Sequence, residues 1–528
     1  MPDMTSRQSF LTRTQGMGLA AVALGLSVFL SRILGLVRDK IISFYFGAGA
    51  EADIYFAAFV VPDFLNYLLA GGYFSITLVP LLSAAFAKDK DDAWRFFSAA
   101  VCWAALSIAL LTLVAWSMVP VITPLVAPGF SPEAQERLGH FLRIILPAQA
   151  CFLPGACFTA MLYMRRQFAV PALTPLVYNG CIIICGVAAI HMLPQLGMEG
   201  FCWGVLAGAA LGNLFLPFWA VRGGGLRFAP RLAHPGMKKV LLLALPLMLG
   251  QSIVALDEQF VRIFGSLTGE GGVSLLNYAR RIMLVPVGVV AQAAGLASFP
   301  FLASLAAAGD TQRFNASMNT AASNTLVIAL PLSLWMLIAA EPIMRLIFQQ
   351  GGFSAEAATQ SGLLLSVMMA GVAFWAVQQL VGRAFYACQD TLTPALVGSA
   401  ATVLALPLYW FGATRYGAFG VAAAGVGGVA LYTAGLCFVW ARRKGADGLR
   451  GLGGKALACL ALCLPASLAA RLALHGVALF FPNASLLGAA CKTAASGLAF
   501  ALVYLCLAIC IAPHLLEPLR VLFRRKPR

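Results

Sequence analysis

Between residues 31 and 40 the chain reads SRILGLVRDK, which sets Arg32, Arg38, Asp39 and Lys40 into an apolar run that begins near residue 17 and resumes with IISFYF. A guanidinium presents five N–H donors in a planar fork and stays charged, so it suits bidentate binding of phosphate or carboxylate. Inside hydrocarbon such a charge costs roughly 2.5–3.5 kcal/mol even on a lenient insertion scale, and it should therefore face water, an opposite charge or a ligand. In the plainest reading Arg38, Asp39 and Lys40 close a helix and snorkel to the membrane surface. The apolar residues beyond Lys40 place them within the segment instead. Arg32 and Arg38 point about 120° apart on an ideal helix and converge only if it bends, which Gly35 between them permits.

Further charges fall at similar depths: Asp53 and Asp63, then Asp257, Glu258 and Arg262, then Arg280 and Arg281, then Arg383. Pairing among themselves, for instance Asp39 or Asp53 with Arg32 or Arg38, accounts for some of them. Their concentration on the first two helices of each half of the chain points to a shared polar cavity, and the arginine surplus points to an anionic substrate. Catalytic patterns are absent: there is no G-x-x-x-x-G-K-[ST] loop, no H-E-x-x-H, and the five histidines are dispersed. The thirteen cysteines lie mostly in apolar runs, without the histidine or carboxylate a metal site needs, and read as packing residues. A transporter is expected, with no catalytic residue, metal or cofactor.

The elements that must hold these side chains are membrane helices. Of 528 residues 61% are hydrophobic and only 11% charged, with a mean hydropathy of +0.86, against about one-quarter charged in a soluble domain. Fourteen runs are long enough to span about 30 Å of hydrocarbon as helix: 17–46, 52–87 (broken at Pro62 and Gly71-Gly72), 96–126, 138–164, 170–193, 200–221, 239–267, 273–308, 316–340, 361–387, 392–412, 418–441, 454–475 and 486–513. The first is expected to be a retained helix rather than a cleaved signal, because Arg32 follows without a small-residue cleavage site. One set of connections carries Arg165, Arg166, Arg222, Arg227, Arg231, Lys238, Lys239, Arg442, Arg443 and Lys444, and the alternate set Glu51, Asp53, Glu133, Glu136, Glu199, Glu270 and Glu356. That asymmetry puts both termini on the cytoplasmic side. The +16 net charge sits in these short loops, beside anionic headgroups, so membrane lipids and not nucleic acid are its partners.

The chain also repeats itself at an offset of about 220 residues. PLLSAAFAKDKDDAWRF from Pro80 parallels PFLASLAAAGDTQRF from Pro300, Gly197, Gly200 and Gly208 parallel Gly417, Gly420 and Gly428, and Tyr163 precedes Pro171 as Tyr386 precedes Pro394. Two six-helix halves that enter the membrane from the same side are expected, related by an axis along the membrane normal. The expected divisions are 1–225 for helices 1–6, 226–445 for helices 7–12, and 446–528 for helices 13–14 with a basic tail.

SRILGLVRDKIISFYFGAGAEADIYFAAF, NYARRIMLVPVGV, FQQGGFSAEA and RAFYACQDTLTPA together resemble the MurJ/MviN family of lipid II flippases, within the multidrug/oligosaccharidyl-lipid/polysaccharide exporter superfamily. The resemblance implies an all-α polytopic membrane protein of fourteen helices: two six-helix lobes around a cationic cavity, and a C-terminal pair forming a groove for a lipid tail. It implies alternating-access transfer of undecaprenyl-diphosphate-linked peptidoglycan precursor between leaflets of the bacterial inner membrane, by a monomer, for cell-wall synthesis. The family's cavity arginines fall on Arg32 and Arg38, its helix 2 aspartate on Asp53 and its helix 8 arginine on Arg281; Asp39 and Arg280 complete the substrate-binding candidates. A sodium link falls on Asp257, with Glu258 beside it as a second ion or gating candidate, but 392–412 contains no carboxylate or amide. Membrane potential is then the remaining driving force, since moving one negative charge outward is worth about 2.3 kcal/mol per 100 mV. The chain departs from the family pattern at Asn66, Tyr67 and Gly71, where PDFLNY replaces PNLLRR and a later glutamate, and at Arg280 and Leu284, where YADRLMEFP has acids. Those differences motivate an alternative cargo, another polyprenyl-diphosphate-linked glycan such as an exopolysaccharide or O-antigen unit.

Overall fold

The computed structural model describes residues 17–70, 73–288, 293–481 and 485–516, and among them every regular element is helical. The chain divides into two compact units, the first made of 1–42 and 50–259, the second of 43–49 and 260–528.

The first unit begins with α1 (Met17–Phe46) and continues with α2 (Ala50–Ala57), α3 (Val60–Leu65) and α4 (Tyr73–Lys88). Pro62 has no N–H and its ring clashes with the carbonyl four residues earlier, so the helix breaks at Ala58-Phe59. Gly71-Gly72, the other expected break, lies outside the described residues. Then follow α5 (Lys90–Ser117), α6 (Val119–Val126), α7 (Pro132–Ile145), α8 (Gln149–Met164), α9 (Ala169–Met192), α10 (Glu199–Gly208), α11 (Leu216–Gly223) and α12 (Gly236–Gly265), whose last turns belong to the second unit. The core between α4, α5 and α8 centres on Leu78, Leu82, Phe97, Cys157 and Met161. Helices α9 and α10 come into backbone contact along glycines spaced four apart: a Cβ added at Gly204 would lie 2.7 Å from the Ile182 Cα.

The second unit contains α13 (Gly272–Pro286), α14 (Ala293–Ala307), α15 (Thr311–Ile338), α16 (Ala340–Phe348), α17 (Ala355–Met369), α18 (Val372–Ala387), α19 (Leu392–Lys444), α20 (Leu452–Phe480) and α21 (Leu486–Ile511). Its core joins Phe314, stacked on Trp440 at 5.8 Å, to Phe385. A second cluster ties α15 to α20 and α21 through Leu326, Leu462, Cys463 and Phe500.

By length and composition eight described helical stretches suffice to cross a membrane, and nine if α17 and α18, bent by 42°, form one span. One stretch, α19, contains two expected spans: Gly417 leaves helical geometry at φ 58°, and the backbones of Gly412 and Gly420 touch across the turn. The remaining four expected segments correspond to α1, α2 to α4, α12, and α13 with α14. Two expectations need correction. The run 96–126 is not one helix but α5 followed by the short α6, and residues 341–348, read as a loop, form α16.

The internal repeat is visible in turn geometry. Asp89 and Asp310 cap α5 and α15 with their carboxylates, Ser131 and Ser354 cap α7 and α17 with their hydroxyls, Arg166 and Gln389 both adopt positive φ, and so do Gly197 and Gly417. Equivalent positions are 220 to 223 residues apart. Caps and left-handed residues are local determinants of chain reversal, so their recurrence at one offset is specific to a duplicated unit.

Candidate functional site

Helix α1 is apolar but for Ser27 up to residue 30 and then carries the charged stretch without interruption; it runs as one helix through Gly35. The two arginines take different surroundings. Arg32 is exposed, whereas Arg38 turns inward with 12% of its side chain exposed. The Arg38 Nε and Nη2 both donate to Oδ1 of Asp39, at 3.0 and 2.9 Å, and the Asp39 side chain is fully buried. Two N–H groups on one carboxylate oxygen make a charge-assisted pair whose net charge is near zero. The pairing foreseen as the plain alternative is thus present for Arg38, with its own neighbour as the acceptor.

The fork is also held from α9. Arg38 Nη1 donates to Oδ1 of Asn179 at 3.5 Å, and the Asn179 amide nitrogen donates to the Pro175 carbonyl at 3.0 Å and to the Ser31 hydroxyl at 3.4 Å. One turn earlier the Ser27 hydroxyl donates to the Ala172 carbonyl, a second polar link between α1 and α9. Tyr55 and Tyr178 lie near enough to Arg38 to interact with its charge, and the buried Tyr55 hydroxyl has no hydrogen bond among the described residues. None of Ser27, Ser31, Tyr55, Tyr178 or Asn179 was singled out from the sequence. One signal was there to be used, since Asn179 is the only amide in the span 170–193.

The other candidates distribute as follows. Asp53 is buried in the first turn of α2, where helix N-terminal amides favour an anion. The Glu258 carboxylate accepts from the Tyr67 hydroxyl at 3.4 Å. The Asp257 side chain lies outside the described residues. In the second unit Arg280 and Arg281 are half-buried on α13; the Arg280 Nε and the Asn277 amide nitrogen one turn away are buried without a hydrogen bond among the described residues. Among the described residues no cluster of three or more His, Cys, Asp or Glu could hold a metal ion.

The first unit holds a separate network. The Arg137 guanidinium bridges Glu51 at 3.2 Å and Glu199 at 3.7 Å, and Glu199 also meets His140 at 3.0 Å and the Trp203 indole N–H at 3.2 Å. These groups join α2, α7 and α10, so residues that served only to orient the chain also fasten three helices.

The Arg38 guanidinium offers N–H donors of the kind an anion takes. A family model described as "Lipid II flippase MurJ" matches residues 42–490. The "Probable lipid II flippase MurJ" of Rhizobium meliloti (strain 1021) is 31% identical over 373 residues, 69% of either chain. The "Lipid II flippase MurJ" of Burkholderia cenocepacia is 28% identical over 378 residues, covering 69% of this chain and 72% of that one. Among solved structures, "Lipid II flippase MurJ, inward closed conformation" superposes with a TM-score of 0.76 at 22% identity, over 92% of this chain and 99% of that one. An inward-facing multidrug transporter of the MATE family superposes with a TM-score of 0.64 at 16% identity, over 82% of this chain and 99% of that one.

Proposed function

Because the chain belongs to the lipid II flippase MurJ family, we propose that it carries lipid II, the undecaprenyl-diphosphate-linked peptidoglycan precursor, from the cytoplasmic to the periplasmic leaflet by alternating access. The observation that carries this reading to the level of residues is the inward-turned Arg38. Its five N–H donors outnumber the three contacts it makes to Asp39 and Asn179, leaving donors for a phosphate oxygen. Asp39 has a defined part in such a cycle. Its charge offsets the guanidinium in the empty state and competes with the diphosphate, so the anion is held weakly enough to leave on the far side. Arg32, exposed on the same helix, is the other donor we assign to the headgroup, with Asp53 at the start of α2 as a polar contact.

The chain is a multi-pass membrane protein, placed by this reading in the bacterial inner membrane with both termini cytoplasmic and acting as a monomer. The exposed Leu457, Leu464, Leu468 and Leu472 on α20 suit contact with the polyprenyl tail. Export of a diphosphate moves negative charge toward the positive side, which favours transport by about 2.3 kcal/mol per charge per 100 mV without a bound ion. A second reading, another polyprenyl-diphosphate-linked glycan as cargo, is favoured by the Tyr67–Glu258 contact, since a phenol and a carboxylate there suit sugar hydroxyls better than phosphate.

Depletion of the resident lipid II flippase in a bacterial host tests the proposal. Rescue by this chain, with loss of rescue for Arg38→Ala at matched membrane level, is the expected result. Failure of the well-inserted parent would reject lipid II as the cargo, and rescue by both chains would reject the role of Arg38.

A further inference from the structure

The anionic headgroup needs a guanidinium whose fork is aimed as well as charged. An arginine has four rotatable side-chain bonds, and Asp39, next to Arg38 in the chain, holds the Nε–Nη2 edge of the fork through one oxygen, which leaves Nη1 for an acceptor from another helix. Asn179 comes from a different helix. Its orientation is settled by chemistry: Nδ2 lies 3.0 Å from the Pro175 carbonyl, which can only accept, so Nδ2 must donate and Oδ1 must be the atom facing Arg38. The Ser31 hydroxyl, 3.4 Å from the same Nδ2 and about two turns before Arg38, ties the amide back to α1. Asn179 is itself 8% exposed, so water does not substitute readily for these contacts.

We propose that Asn179 is a positioning residue for anion transport: its side-chain carbonyl orients the Arg38 guanidinium so that the remaining N–H groups meet a diphosphate. This rests on the headgroup role assigned to Arg38 above. An uncharged acceptor suits the task, because it directs the fork without adding a second negative charge to that of Asp39. A carboxylate in the same place would pair with Arg38 and shut out the anion, and an apolar side chain would leave the fork unaimed.

The purified full-length chain in nanodiscs provides the test, with undecaprenyl diphosphate and undecaprenol as lipid probes that differ only in the headgroup. Asn179→Leu is expected to lower affinity for the diphosphate about tenfold, the low end for a hydrogen bond to a charged group. Asn179→Asp is expected to lower it further, with the difference growing at low ionic strength. Undecaprenol binding should be unchanged in both. A purely structural role would instead weaken both lipids together and would not rank Asp below Leu; that pattern, or diphosphate affinities within twofold of the parent, overturns the assignment. Absence of diphosphate binding by the parent would reject the anionic-lipid reading itself, so the two failures are distinguishable. If Asn179→Leu does not fold, Ser31→Ala tests the same link more gently: it removes a tether of the Asn179 amide and should lower diphosphate affinity alone, with equal loss for both lipids counting against the proposal.

Discussion

Replacing Asp39 by asparagine removes the charge that pairs with the Arg38 guanidinium inside the membrane helix while keeping the size of the side chain. Taking one charge from a buried ion pair costs about 3–5 kcal/mol. Arg38 retains 12% exposure and the asparagine carbonyl still accepts one of its N–H groups, so a loss of about 2–3 kcal/mol is expected. Denaturant unfolding in mixed micelles of the parent, Arg38→Gln, Asp39→Asn and the double variant should give a coupling of about 2 kcal/mol, the double variant being more stable than the sum of the two losses predicts. The same change should help the ligand: with the competing carboxylate gone, the diphosphate of undecaprenyl diphosphate supplies the missing anion. Saturating lipid should therefore stabilise Asp39→Asn more than the parent, by about 1.4 kcal/mol for each tenfold gain in affinity. Additive losses within about 0.5 kcal/mol, together with equal stabilisation of parent and variant by the lipid, would refute the view that Asp39 both neutralises Arg38 and competes with the substrate.

Collapsing the membrane potential at fixed sodium should slow transport in vesicles by removing about 4.6 kcal/mol per 100 mV for two exported charges, and a rate that follows sodium at zero potential would point to ion coupling instead. At the start of α19, burial alone would raise the Asp390 carboxyl, but hydrogen bonds from the Thr393 hydroxyl at 2.7 Å and amide at 2.9 Å, with Arg443 at 3.6 Å, hold it below the ordinary carboxylate range. A depressed folded value means that this cap stabilises fully above about pH 4, the unfolded range, and fades as pH falls through the lower folded value. Asp390→Ala should therefore melt lower than the parent at pH 7, by about 1 kcal/mol, with the gap closing in strong acid. Gly155→Ala, whose Cβ would fall 1.9 Å from the Asn213 carbonyl oxygen, should cost about 1–3 kcal/mol or more and reduce folded yield, whereas Gly35→Ala, with nothing within 4 Å, should be tolerated or slightly stabilising; thermal melts of the two separate close backbone packing from mere helix composition.

How much of this could be read in advance follows from the kind of determinant involved. Arg38 and Asp39 stood out because charge within an apolar run is expensive wherever the helix packs. Asn179 did not, because a single amide in an apolar run has no sign and no spacing partner in the sequence; the residue it serves is 141 positions away. Separation along the chain also hid the role of Glu199, whose meeting with Arg137 and His140 depends on how α7 and α10 come together. The short helix α6 was missed because its apolar residues extend the preceding run, and α16 because Glu341, Pro342 and Arg345 interrupt its few apolar residues; the turns that set both apart are matters of local backbone geometry rather than hydropathy.

The sequence by itself determined that this is an all-helical membrane protein with a duplicated half and a cationic character, since hydrocarbon thickness, backbone hydrogen bonding and the cost of buried charge act on each segment separately. Caps and left-handed turns at a 220-residue offset belong to the same class, because they depend only on neighbours along the chain. Tertiary structure alone decided that Arg38 and Asp39 are buried together and met by Asn179 while Arg32 on the same helix stays exposed. An ion pair's strength and a fork's direction depend on burial and on acceptors from other helices, and those exist only once the helices have packed.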